Sequence, residues 1–260
     1  MAKILLIGAS GYIGGKFAEF LTNRKIVFTV ATRSDSDYTT RAGMASYLDR
    51  ESPDFVINAA GYTGKPNVDA AESNKTNCLL GNAVLPGLLR EECEKREIPW
   101  GHVSSGCVYN GRPAPGEGFR EEDAPNFSFR QNNCSFYSGT KALGEEALGY
   151  HQTSDGQWVH DGEPSGYVWR LRIPFNHEDN PRNYLTKLIR YETLLDAENS
   201  ISHLEEFVEA CFLCWEKRVP FGIYNVTNPG AVWAHEIVEW IQESALGKRL
   251  AAEGKRCRFF

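Results

Sequence analysis

Short apolar runs alternate along this chain with longer segments whose apolar residues recur at helical spacing. Lys3–Ile7, Ile26–Val30, Phe55–Ala59, Trp100–Ser104 and Tyr167–Ile173 are rich in β-branched and aromatic residues and read as strands. Between them, Tyr12–Thr22, a short stretch near Arg41–Arg50, a long one from about Ala71 to Arg96, and Phe136–Tyr150 read as helices. The last carries Ala142, Leu143, Glu145, Glu146, Ala147 and Leu148, all good helix formers. Such alternation implies right-handed crossovers and a parallel sheet with helices on both faces, so the predicted fold is a doubly wound α/β domain. After Pro174 the helical patterns Asn183–Tyr191, Leu204–Lys217 and Trp233–Ala245 surround one strand-like run, Gly222–Val226. The expected organisation is a large domain over residues 1–174 and a smaller lobe over 175–260. Two Gly/Pro-rich stretches, Asn110–Asn133 and Gln152–Gly166, read as long loops.

Charge narrows the class. With 28 Lys+Arg against 34 Asp+Glu, the net charge is −6 and no basic block stands out, which argues against nucleic acid or an anionic membrane as partner. The first apolar run, Ile4–Ile7, is cut at once by Gly8 and is far shorter than a membrane span or a secretory h-region, so a cytoplasmic protein is expected. The seven cysteines (Cys78, Cys93, Cys107, Cys134, Cys211, Cys214 and Cys257) are odd in number and lack a disulfide spacing, which fits a reducing compartment. Cys211 and Cys214 sit in an apolar helix-like stretch with no second Cys/His pair, so they read as core thiols, and no metal site is expected.

Gly8-Ala9-Ser10-Gly11-Tyr12-Ile13-Gly14 follows the first strand directly and opens the first helix. Gly8 lets the chain turn sharply, Gly11 lets backbone N–H groups approach a pyrophosphate, and Gly14 lets helix and strand pack closely. The segment reads as a dinucleotide-binding turn with the spacing GxxGxxG, and Gly8, Ser10, Gly11, Tyr12, Ile13 and Gly14 are its candidate contacts. After the second strand, Arg33 stands between Thr32 and Ser34 where a 2′-phosphate would sit, which points to NADPH, while Asp35 close behind keeps NADH open. Tyr137 and Lys141 fall one turn apart on one helix face. A cation beside a phenol favours the phenolate, so the pair suits proton exchange with the alkoxide formed when a hydride reaches a ketone.

In this order, Gly8/Gly11/Gly14, Asn58-Ala59-Ala60-Gly61, Ser104-Ser105 and Tyr137/Lys141 resemble the extended short-chain dehydrogenase/reductase family, a Rossmann fold with a small C-terminal substrate-binding lobe. The finer resemblance is to the dTDP-4-dehydrorhamnose reductases, and among them to the bifunctional nucleotide-rhamnose epimerase-reductases. It rests on the blocks Asn58–Asp69, which contains Pro66, and Gly118–Phe127, Asn180–Lys187 and Tyr224–Gly230, and it covers roughly residues 3–245. The resemblance implies that Ala59, Ala60 and Gly61, with Tyr137 and Lys141, contact the cofactor. It implies that Ser105 hydrogen-bonds the substrate C4 oxygen beside Tyr137, with Ser104 in that place if the strand register differs. Cys107 and Lys187 match the positions proposed for an acid/base pair, and Thr63 and Asn183 are candidates to contact the sugar or its phosphates.

The implied substrate is a nucleotide sugar, UDP- or dTDP-4-keto-6-deoxyglucose, and the implied product is the corresponding nucleotide L-rhamnose. Inversion at C3 and C5 is chemically reasonable because both carbons flank the C4 ketone, so loss of their protons gives an enolate. Inversion needs an acid and a base on opposite faces of the ring; hydride delivery to C4 follows. Two alternatives stay open: a 4-reductase only, and a cofactor-binding regulatory subunit of the same fold, such as that of methionine adenosyltransferase. A homodimer is left open. Two segments depart from the family: the polar Gln152–Gly166 insertion, and Gly247–Phe260, which is unlike the family's C-terminal block.

Overall fold

The computed structural model describes residues 2–65, 67–252 and 258–259. Pro66, Cys257 and part of the Gly247–Phe260 segment lie outside the described residues. The chain forms two compact units, one of Met1–Arg170 with Val208–Asn225, the other of Leu171–Phe207 with Val226–Phe260. This differs from the boundary expected at 174/175. The reason is hydrogen bonding: the strand-like run after the second C-terminal helix pairs with the main sheet, in the register Gly222↔Tyr167 to Asn225↔Arg170, and so belongs to the larger unit.

The sheet of the larger unit contains β1 (Lys3–Ile7), β2 (Val27–Ala31), β3 (Phe55–Asn58), β4 (Trp100–Ser105), β5 (Gly166–Leu171) and β6 (Gly222–Asn225), in the order β6-β5-β4-β3-β1-β2. β1 pairs in parallel with both β2 and β3, β3 with β4, and β5 with β6. The chain runs from β1 to β2 on one side and then crosses to β3 on the other, so strand order reverses between β1 and β3. Doubly wound sheets bind ligands at the carboxyl ends flanking such a reversal. Ile4–Ile7 and Phe55–Ile57 are fully buried, as expected for central strands covered on both faces.

The helices are α1 (Tyr12–Asn23), α2 (Arg41–Glu51), α3 (Lys75–Leu79), α4 (Leu85–Glu94), α5 (Phe136–Ala147), α6 (Tyr184–Arg190), α7 (Leu204–Glu216), α8 (Ala234–Glu243) and α9 (Ala245–Ala252). α2 starts where the Thr40 hydroxyl accepts from Gly43 N–H at 3.1 Å, and α5 where the Ser135 hydroxyl accepts from Ser138 N–H at 3.2 Å. The single long helix expected over Ala71–Arg96 is instead a 3₁₀ turn (Val68–Ala71), α3, a π turn (Leu80–Val84) and α4. Pro86 accounts for the irregularity: it has no N–H to give the carbonyl of Asn82, so the α-helical ladder breaks there.

The Gln152–Gly166 insertion is not a plain loop. Tyr150–Gln152 and Trp158–His160 form an antiparallel hairpin, with the buried Tyr150 and Trp158 joined to the main core. Its two aromatic residues supply the apolar area that anchors it. In the smaller unit, Leu188 on α6, Leu194, and Ile237 and Val238 on α8 form a separate core. Among the described residues no helix is long and apolar enough to cross a membrane.

Candidate active site

The dinucleotide turn is built by backbone proximity. Gly8 has φ +86° and lies so close to the end of β3 that a Cβ on it would sit 2.4 Å from Ala60 N. A Cβ on Gly14 would sit 2.0 Å from Gly8 O, so α1 packs directly on the turn. Gly11 N–H donates to Gly8 O at 3.0 Å. The N-terminus of α1 has no side-chain cap and no acid in its first turn, which leaves its positive end to an anion. Exposed Ser10 and Gly11 border it, and the arrangement fits a pyrophosphate. Ala59 N–H donates to Ile7 O at 2.9 Å, fixing Ala59, Ala60 and Gly61 beside Gly8. At the end of β2, Arg33 is exposed with its guanidinium over the Tyr38 ring, 5.7 Å from the centroid.

The chemical groups gather at the carboxyl end of β4. Ser104 is buried and donates to Glu145 Oε1 at 2.7 Å, so its hydroxyl faces the interior. Strand alternation turns Ser105 the other way. Its hydroxyl accepts from Cys107 N–H at 3.3 Å and starts the 3₁₀ turn Gly106–Val108. Cys107 packs against the buried cluster of Ala71, Cys78 and Tyr137, as do Tyr62 and Phe136. Lys141 is buried and donates to Val103 O at 3.3 Å. Burial lowers its pKa, while Cys107, Glu145 and Cys78 act in the opposite sense, so Cys107 lies within electrostatic reach of the ammonium. The larger unit thus brings together the glycine turn, Ala59–Gly61, Ser105, Cys107, Tyr137 and Lys141; Thr63 is exposed on the loop beyond Gly61.

Lys187 and Asn183 belong to the smaller unit and take their surroundings from it. Asn183 is buried and caps α6: its Oδ1 accepts from Leu185 N–H at 3.1 Å, and its Nδ2 donates to Glu178 O at 2.6 Å and Asn176 O at 2.7 Å. Both ends of its amide are committed to this cap. Lys187 on α6 is half-buried, and burial, with Arg182 adding to it, lowers its pKa.

Two polar centres escaped the sequence reading. Asn82, buried in the π turn, accepts from Tyr62 N–H at 2.8 Å and donates to Tyr62 O at 2.9 Å and Thr140 Oγ1 at 3.2 Å. It ties the loop after Gly61 to the Tyr137/Lys141 helix. His102, fully buried on β4, lies 3.0 Å from Asn58 Nδ2, and Asn58 Oδ1 accepts from Ala60 N–H. Desolvation first, then Lys141, push the His102 pKa well below its usual value, so the ring is neutral. The available signal was a polar side chain inside an apolar run: Asn82 within Leu79–Leu85, His102 within Trp100–Val103.

A parallel sheet whose switch point holds a glycine turn, with Ser105, Tyr137 and Lys141 at the adjoining strand, defines an oxidoreductase of the short-chain dehydrogenase/reductase class. Its neighbours place it more narrowly. The chain belongs to the RmlD substrate binding domain family, matched over residues 2–186. It is 34% identical over 246 residues to the bifunctional dTDP-4-dehydrorhamnose 3,5-epimerase/dTDP-4-dehydrorhamnose reductase of Arabidopsis thaliana, covering 93% of this chain and 75% of that one. It is 33% identical over 242 residues to a trifunctional UDP-glucose 4,6-dehydratase/UDP-4-keto-6-deoxy-D-glucose 3,5-epimerase/UDP-4-keto-L-rhamnose-reductase of the same plant, covering 91% of this chain but only 33% of that protein. The fold is also that of the L780 UDP-rhamnose synthase from Acanthamoeba polyphaga mimivirus, with a TM-score of 0.84 at 23% identity over 100% of this chain and 84% of that one.

Proposed function

We propose that this protein is an NADPH-dependent 3,5-epimerase/4-reductase that converts UDP- or dTDP-4-keto-6-deoxyglucose into the nucleotide L-rhamnose. The observation that carries the reading is the placement of Cys107 beside Tyr137 and within reach of Lys141, at the strand end next to the dinucleotide turn. A reductase needs the Ser105, Tyr137 and Lys141 set; a thiol in the same cluster is a further acid/base group.

When bound, NADPH supplies the hydride for C4. Ser105 hydrogen-bonds the C4 oxygen, and Tyr137 gives it a proton as the alkoxide forms. Lys141, whose burial weakens its hold on its proton, favours the phenolate left behind and returns the proton. In the epimerisation, Cys107 and Lys187 exchange protons at C3 and C5. Burial eases deprotonation of Lys187, as a base at that position requires. Arg33, with Thr32 and Ser34, receives the 2′-phosphate. The free thiols of six cysteines among the described residues suit a reducing, cytoplasmic setting.

A reductase-only activity is the second reading, favoured by 28% identity over 157 residues to a dTDP-4-dehydrorhamnose reductase. Turnover of both 4-keto-6-deoxy nucleotides with NADPH in D₂O, read by NMR, separates the two. Deuterium at C3 and C5 of an L-rhamnose product supports the bifunctional reading; reduction without that deuterium leaves the reductase alone.

A further inference from the structure

The loop after β2 carries two carboxylates next to Arg33, and both are engaged elsewhere. Asp37 accepts from the Thr39 N–H at 3.1 Å and the Thr39 hydroxyl at 2.6 Å. Asp35 is held from α2, where Arg50 Nη2 donates to Asp35 Oδ2 at 2.6 Å. Arg50 is fixed on two further sides: its guanidinium lies 4.7 Å from the Tyr47 ring centroid, and its Nε donates to Glu51 Oε1 at 2.9 Å. Tyr47 fastens α2 to the same loop, since its hydroxyl donates to Thr32 O at 2.6 Å and accepts from Thr32 N–H at 2.8 Å. β2 ends beside β1, with Ala31 paired to Ile7 just before Gly8, so residues 32–35 follow directly from a strand end bordering the dinucleotide turn.

An acid at this strand end attracts a ribose 2′-hydroxyl and repels a 2′-phosphate. We propose that Arg50 is a specificity-determining residue. By holding Asp35 in an ion pair it withholds that carboxylate from the adenosine ribose and leaves the loop to Arg33, Thr32 and Ser34. Selection then works by silencing the competing acid. The proposal rests on the NADPH reading above. Loss of Arg50 leaves Glu51 in place, because Lys3 Nζ at 2.8 Å and Thr29 Oγ1 at 3.0 Å still hold it. Among the carboxylates the change is therefore confined to Asp35, and a Met stem at position 50 keeps apolar contact with the Tyr47 ring.

Titration of wild type, Arg50→Met, Asp35→Asn and the double variant with NADPH and with NADH, followed by the fluorescence of the bound reduced nicotinamide, tests this without turnover. Both side chains are about half exposed, so the effect is moderate. The NADPH/NADH affinity ratio is expected to fall roughly three- to tenfold in Arg50→Met and to return to wild type when Asp35→Asn is added. A ratio unchanged in Arg50→Met overturns the proposal. So does a fall that Asp35→Asn fails to reverse, since Arg50 would then act on the phosphate directly. A wild type that itself favours NADH overturns the NADPH reading as well, which sets that failure apart from the other two.

Discussion

Cys107 is where the two halves of the proposed chemistry part company. It packs against the buried cluster that holds Tyr137, yet the hydride step asks nothing of it. In Cys107→Ala, deuterium incorporation at C3 and C5 is expected to fall by about 10²-fold or more, the range for removing an acid/base group. Reduction of a substrate already inverted at both carbons should fall far less. Equal losses in the two assays would remove Cys107 from the epimerisation. At this scale the sequence singles out residues whose type is rare and chemically committed, as with Tyr137, Lys141 and Cys107. It was ambiguous where two like residues adjoin: Ser104 and Ser105 differ only in which side of a strand they face, and the buried Glu145 that claims Ser104 lies 41 residues away. Asn183 is ambiguous for a related reason, because an Asn ahead of a helix can serve a ligand or the helix itself, and here its amide bonds to Leu185, Asn176 and Glu178.

Among the elements, the π turn between α3 and α4 does the most to shape the site. With no N–H on Pro86 to meet it, the Asn82 carbonyl approaches α5 so closely that a Cβ on Gly144 would lie 2.1 Å from it. Gly144→Ala should therefore destabilise the protein by about 2–3 kcal/mol, visible as a lower urea midpoint at unchanged m-value. A neutral substitution would mean that α5 does not seat on the π turn as described. α4 also carries Glu92, 3% exposed, whose carboxylate meets Lys95 Nζ at 2.6 Å, Arg41 Nη1 at 2.8 Å and Arg96 Nη1 at 2.8 Å. Lys95 first, with Arg96 and Arg41, lowers its pKa from 4.5 to about 2 against the cost of burial. Because the folded pKa is depressed, the stabilisation is present above pH 4.5 and is lost as pH falls toward 2. Glu92→Gln is expected to cost about 1–2 kcal/mol at pH 7, discounted for the exposure of Lys95 and Arg41, and the wild-type advantage should shrink steadily across that window. An advantage that does not vary with pH would show that the carboxylate's charge is not what is lost. The pattern of apolar residues located α4 but could not reveal the break before it, since a π turn adds one residue without disturbing the run of leucines.

The larger unit as a whole hangs on one buried ion pair that no local pattern could have exposed. Glu145 on α5 and Arg170 on β5 are both fully buried, joined by Arg170 Nη2 at 2.6 Å and Nε at 2.9 Å. Ser104 of β4 donates to the same carboxylate. Arg170 Nη1 donates to the Tyr109 hydroxyl at 2.5 Å, and that hydroxyl donates to Asp123 O at 2.7 Å. Two strands, α5 and the stretch read from sequence as a long loop thus share one network, which is why Asn110–Asn133 can be irregular and still be fixed. The doubly wound fold was legible because alternation of strand and helix is a local signal; this tie was not, because its members lie 25 and 61 residues apart. Removing only one charge leaves the other buried without a partner, which costs about 3–5 kcal/mol, whereas removing both relieves much of that penalty. Arg170→Met and Glu145→Leu should therefore each destabilise strongly, and the double variant should lose at least about 2 kcal/mol less than their sum in a urea double-mutant cycle at pH 7. Strict additivity would mean that the pair is not a coupled unit, and the fixed position of the 109–123 segment would then need another cause.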